Sequence, residues 1–211
     1  MREIKAVIFD MDGVIVESEF RNYKAKLKVL EPFGVSFDYE YYSQFPGNSN
    51  LIVWEKIIDD FKLNTTAEQM HKVDLAVRDE LIKEEGHIEI DGAVDLIKRL
   101  SKKYVLALAS GSPEHIIKDA IKQLEIEKYF KFVISGESIE NCKPAPDIFL
   151  ITAENLGILP QNCAVIEDSA NGVKAAKSAK MYCVGFENKN SGDQDLSLAD
   201  VVVKSHKENP L

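Results

Sequence analysis

From residue 91 onward, short apolar runs alternate with stretches of helical periodicity, and this alternation limits the fold more than any other feature of the chain. The runs are Tyr104–Ala109, Phe132–Ile134, Ala164–Ile166, Tyr182–Gly185 and Val201–Val203. Each is brief and bounded by turn residues, as buried strands are. Between them lie helical patterns: one carrying Val94, Ile97 and Leu100 behind a capping Asp91, one with Pro113 at its first position, one over Asp147–Leu156 and one over Asn171–Lys180. Strand and helix in regular turn predict a parallel sheet covered by helices on both faces. Ala6–Phe9 is a further run of the same kind and joins that sheet. The expected fold is α/β, a doubly wound parallel-sheet core.

Between the first strand and residue 91 the texture is different. Tyr23, Leu27, Leu30 and Phe33 recur at helical spacing before a stop at Gly34. Pro46-Gly47-Asn48-Ser49-Asn50 is a loop, and Leu51, Trp54, Ile57, Ile58 and Phe61 form an amphipathic face in which Trp54 is packing. Thr65 with Glu68 reads as a capping box opening another helix. His71 has no partner at metal-ligand spacing and reads as a surface residue. Residues 18–88 therefore form a helical cap inserted after the first strand, with the core made of residues 1–17 and 89–211. The crossings near Ile15–Ser18 and Gly86–Ile90 are natural hinges for a lid.

The 211 residues carry a net charge of −9. Nothing basic is clustered to neutralise phosphates of a nucleic acid, so no nucleic-acid partner is expected. A small anionic substrate would need a local cation, because the overall field opposes it. Cys142, Cys163 and Cys183 are widely spaced and odd in number, which suggests reduced thiols in a cytoplasmic protein. The apolar run before Asp10 is too short for a signal-peptide core or a membrane span. No exposed apolar face is legible, so a monomer or weak homodimer is expected.

Polar residues gather at the ends of the apolar runs: Asp10 and Asp12 after the first, Ser110 after the second, Glu167 and Asp168 after the fourth, with Lys143 in a loop following the third. Ligands of open α/β sheets bind outside the carboxyl ends of the strands. Taken singly, Asp12-Gly13 is an ordinary turn pair, Ser110 a helix cap and Lys143 a solvated lysine. Together they supply a nucleophilic carboxylate, a hydroxyl, a cation and an acidic pair, which is the set phosphoryl transfer needs. Two nearby carboxylates also invite a shared proton or a hard cation.

The segments Asp10-Met11-Asp12-Gly13-Val14, Ser110-Gly111-Ser112, Lys143-Pro144-Ala145-Pro146-Asp147 and Glu167-Asp168-Ser169 with Asn171-Gly172 resemble, in this order, the motifs of haloacid-dehalogenase superfamily hydrolases. The resemblance covers almost the whole chain and is closest to the subgroup of β-phosphoglucomutase and small sugar-phosphate phosphatases. It implies an aspartyl-phosphate formed on Asp10 and acid/base work by Asp12. It further implies phosphate binding by Ser110, the Gly111 amide and Lys143. Mg²⁺ would be held by Asp10, the Asp12 carbonyl and Asp168, with Glu167 in support. The second aspartate and the acidic pair mark the Mg²⁺-dependent branch, not halide displacement.

The mutase subgroup differs from this chain at two places. Asn22 stands where it has a histidine, and Asn50 where it has an arginine that grips a distal phosphate; no Arg or Lys lies between Gln44 and Glu55. A neutral amide lacks the bidentate, charge-assisted grip of arginine. The expectation is a phosphatase of a small phosphorylated metabolite, with Asn48 and Asn50 among the cap residues that meet the substrate. A mutase using another cap cation, and a non-catalytic relative that binds a phosphometabolite, are the alternatives.

Overall fold

In the computed structural model, which describes residues 3–211, the chain runs β1 (Ala6–Phe9), β2 (Val16–Glu17), α1 (Glu19–Leu30), α2 (Tyr39–Tyr42), α3 (Asn50–Phe61), α4 (Ala67–Glu85), β3 (Ile88–Glu89), α5 (Ala93–Leu100) and β4 (Val105–Ser110). It continues through α6 (Glu114–Gln123), β5 (Phe130–Ser135), α7 (Asp147–Leu156), β6 (Cys163–Glu167), α8 (Ala170–Ser178), β7 (Tyr182–Phe186) and β8 (Val201–Val203). Six strands pair in the order β5-β4-β1-β6-β7-β8, every pair parallel. All four residues of β1 are inaccessible to solvent. Its side chains alternate between the two faces of the sheet. Val7 and Phe9 join the core under α5 and α6, whereas Ala6 and Ile8 join the core under α7 and α8.

Helices α1 to α4 bury a core of their own around Trp54, Leu30 and Ile57, all fully inaccessible. The segments that enter and leave this helical layer pair with each other as the antiparallel ribbon β2-β3, Val16 opposite Glu89 and Glu17 opposite Ile88. The helical stretch read from sequence thus ends in a short strand, which its two residues are too few to announce.

Three helix starts differ from expectation. The cap of α4 is Thr66, whose hydroxyl accepts from Gln69 N, while Thr65 bonds the Gln69 side chain instead. Before α5, Gly92 in the left-handed conformation takes the cap position. Asp91 pairs with Lys207 on the surface, and Glu89 Oε1 reaches over to accept from Val94 N. Pro113 precedes α6 as its cap residue in extended conformation and is not the first helical residue.

Candidate active site

Parallel strands of matched register deliver their carboxyl ends side by side. Phe9 is level with Leu108 of β4 and Ile166 of β6, so Asp10, Ser110 and Glu167 emerge along one edge. Lys143 arrives from the loop after β5 and places its Nζ 2.6 Å from Asp10 Oδ1 and 2.7 Å from Glu167 Oε1. The other oxygen of Glu167 accepts from the Ser169 amide and hydroxyl. With both oxygens engaged, Glu167 holds Lys143 against Asp10.

Asp10, Glu167 and Asp168 are buried, with one ammonium among them. Burial is the main cause that pushes the Asp10 and Asp168 carboxyls well above the ordinary range, and their neighbouring carboxylates add to it. Burial alone would lower Lys143, but the Asp10 and Glu167 charges outweigh it and keep it cationic. Buried negative charge in excess of one lysine is a setting that favours a divalent cation. Among the described residues no three acidic, histidine or cysteine side chains form a ready cage. The buried Asp10 and Asp168 carboxylates, with the Asp12 carbonyl that the motif implies, would make a sparse oxygen set, which fits Mg²⁺ because it keeps several waters. Gly13 makes room for this arrangement: at φ +75° it turns the chain, and a Cβ there would stand 1.9 Å from Asp168 Oδ2.

Asp12 is held from β4. The Ser110 hydroxyl donates to its Oδ2 at 3.2 Å and the Ser112 hydroxyl at 2.6 Å. Gly111 between them is exposed, with open space where a Cβ would be. The role of Ser112 in holding Asp12 has no signal in the sequence spacing.

The cap residues fall differently from expectation. The exposed Asn48 closes its own turn by donating to the Phe45 carbonyl. Asn50 is committed inside the cap: its amide nitrogen is 2.6 Å from Asp74 Oδ2 and 2.7 Å from His71 Nδ1, and its oxygen accepts from Lys26. His71, read as a surface residue, belongs to this network. Arg78 on α4 is one of the cap's cations. Its Nε and Nη2 both bond Asp74, and Nη1 donates to Asn22 at 3.4 Å. Glu19, buried at the start of α1, accepts from the Tyr42 hydroxyl at 2.7 Å and interacts electrostatically with Asp12 and Asp168.

Residues 4–180 match the family model described as haloacid dehalogenase-like hydrolase. The chain is 33% identical over 180 residues to a phosphorylated carbohydrates phosphatase of Thermotoga maritima, covering 83% of this chain and 82% of that protein. It is 31% identical over 180 residues to a fructose-1-phosphate phosphatase of Escherichia coli, covering 84% and 94%. A β-phosphoglucomutase from Clostridium difficile superposes with a TM-score of 0.80 at 29% identity, over 97% of this chain and 92% of that one. With strand order, motif positions and relatives in agreement, the chain belongs to the haloacid dehalogenase-like hydrolases.

Proposed function

We propose that this protein is a Mg²⁺-dependent phosphatase of a small phosphorylated sugar or polyol, acting through an aspartyl-phosphate on Asp10. The observation that carries the reading is Lys143 clamped between Asp10 and Glu167 at the carboxyl edge of the sheet, beside the Ser110 hydroxyl. The phosphoryl oxygens of the substrate take the Ser110 and Ser112 hydroxyls that Asp12 now occupies. Lys143 offsets their charge, which the net −9 of the chain otherwise opposes. An Asp10 carboxylate oxygen attacks phosphorus, the phosphorus–oxygen bond to the sugar breaks, and the protonated Asp12 gives its proton to the departing oxygen. Water then attacks the phosphorus of the aspartyl-phosphate. Asp12 takes its proton, the bond to Asp10 breaks, and inorganic phosphate leaves. Asp10, Asp168 and the Asp12 carbonyl would hold Mg²⁺, which would supply neutralisation of charge on the transferring group.

The named relatives act on phosphorylated carbohydrates and on fructose 1-phosphate, which supports the substrate class. The mutase reading draws on the structural neighbour and on Arg78. Against it, the Nε/Nη2 edge of the Arg78 fork is already spent on Asp74 and Nη1 donates to Asn22, so its charge is shared within the cap. Among the described residues no helix is long and apolar enough to cross a membrane. Three free thiols suit a reducing compartment and support a cytoplasmic location. We also favour a monomer or weak homodimer.

The test is phosphate release from a panel of sugar and polyol phosphates, with Mg²⁺ and with EDTA, alongside β-glucose 1-phosphate with a bisphosphate primer. Mg²⁺-dependent release that Asp10→Asn lowers by about 10⁴-fold or more is expected, as for loss of a covalent nucleophile. Conversion of β-glucose 1-phosphate to glucose 6-phosphate without release would replace the phosphatase with the mutase.

A further inference from the structure

The loop after β7, residues 188–194, touches four parts of the molecule at once. At the site, the buried Ser191 hydroxyl donates to Asp168 Oδ2, and Asn188 Nδ2 donates to the Gly13 carbonyl at 3.1 Å. At the start of α8, Gln194 Oε1 accepts from Ala170 N at 2.9 Å. At the hinge ribbon, Asn190 Nδ2 donates to Glu17 Oε2 at 2.8 Å. On the cap, the Tyr39 hydroxyl donates to the Asn190 carbonyl at 2.9 Å, and Gln194 Nε2 donates to the Pro46 carbonyl at 3.0 Å. Gly192 lets the cap come this close: at φ +70°, a Cβ there would stand 2.2 Å from the Ser43 carbonyl oxygen.

We propose that Ser191 is a positioning residue that aims the Asp168 carboxylate, and that the 188–194 loop couples this aim to the seating of the cap on the core. This rests on the metal reading given above. Asp168 lies at the end of β6 with one oxygen crowded against Gly13 and Ser191. A fixed hydroxyl on that oxygen leaves the carboxylate a single orientation, the usual way in which an outer partner tunes a metal ligand. The loop's own turn is braced: Ser191 N donates to the Asn188 carbonyl, and Gln194 Nε2 also donates to the Ser191 carbonyl. Lifting residues 39–47 off the core therefore removes two of the loop's anchors while Ser191 keeps its place only through the remaining ones. Cap opening and relaxation of Asp168 become one event, so a metal is held best when the cap is down.

The experiment measures Mg²⁺ binding by the metal-induced rise in melting temperature, without substrate, and the Mg²⁺ concentration for half-maximal phosphate release. Ser191→Ala should raise the half-activating Mg²⁺ concentration by about tenfold and shrink the thermal shift, and Ser191→Thr should restore both. Tyr39→Phe, which removes the cap hydroxyl from the Asn190 carbonyl and leaves the loop's own bonds intact, should speed proteolytic cleavage within residues 39–47 and weaken Mg²⁺ binding by at least about threefold, although Tyr39 does not touch Asp168. Normal Mg²⁺ binding by Ser191→Ala, or a loosened cap with unchanged Mg²⁺ binding, overturns the proposal and leaves the phosphatase reading standing. A wild-type protein with no Mg²⁺-induced shift removes the metal reading itself and this proposal with it.

Discussion

At the scale of the residue, Glu19 is a titrating group outside the catalytic motifs. It is a carboxyl buried between the cap and the catalytic edge, and desolvation raises its pKa to about 7. The Tyr42 hydroxyl and Arg78 work against that rise, while Asp12 and Glu17 add to it. Between the ordinary value of 4.5 and about 7, the folded state binds a proton that the unfolded state has released. Stability from this group is therefore greatest below that window and falls as pH rises through it. Glu19→Gln keeps an oxygen for Tyr42 and removes the charge. At pH 8 it should stabilise the protein by about 2 kcal/mol relative to wild type, and at pH 4.5 by almost nothing. Urea denaturation at the two pH values checks this, and an equal difference at both would exclude Glu19 as the titrating group. Residue identity made Asp10, Asp12, Ser110 and Lys143 legible because each follows a recognisable strand. Glu19 and Ser191 were silent because burial and partners at distant sequence positions, not spacing, define what they do.

At the scale of the element, the cap is tied by charge as well as by its apolar core. Lys26 of α1 and Arg78 of α4 converge on Asp74 of α4, and Asn50 of α3 joins them. The Lys26 and Asp74 side chains are 2% and 0% exposed. Removing the shared anion leaves two cations without their counter-charge, so Asp74→Ala should cost about 3–5 kcal/mol. Asp59→Ala, which breaks an exposed pair with Lys62, should cost less than about 1 kcal/mol. Equal, small losses in chemical denaturation would show that the Lys26–Asp74–Arg78 cluster is not what ties α1 to α4. Periodicity made α1, α3 and α4 readable because their apolar stripes face one core. It could not show that Lys26 and Asp74, 48 positions apart, meet. For the same reason Asn50 was expected at the substrate, and helix caps slipped by a residue where Thr65 and Thr66, or Asp91 and Gly92, compete for one position.

At the scale of the whole molecule, the two layers are held to different degrees. Central strands β1, β4 and β6 are buried on both faces, each sealed by helices, and every residue of β1 is inaccessible. The cap joins them through a two-residue-wide ribbon and a set of loop hydrogen bonds, Asn171 to the Gly47 carbonyl and Gln194 to the Pro46 carbonyl among them. Contacts of this kind sit near solvent and bury little apolar area, so they open at less cost than a sheet sealed on both sides. Native-state hydrogen exchange at increasing denaturant should therefore resolve two classes. Amides of β1, β4 and β6 should exchange only by global unfolding, whereas those of α1 to α4 should exchange through an opening of lower free energy and shallower denaturant dependence, because it exposes less surface. Both classes merging on a single isotherm would mean that cap and core unfold as one unit. Separate classes would give the substrate its way in, because an enzyme that encloses a small phosphate under a lid must lift that lid in each turnover without loosening the strands that align Asp10, Ser110 and Glu167.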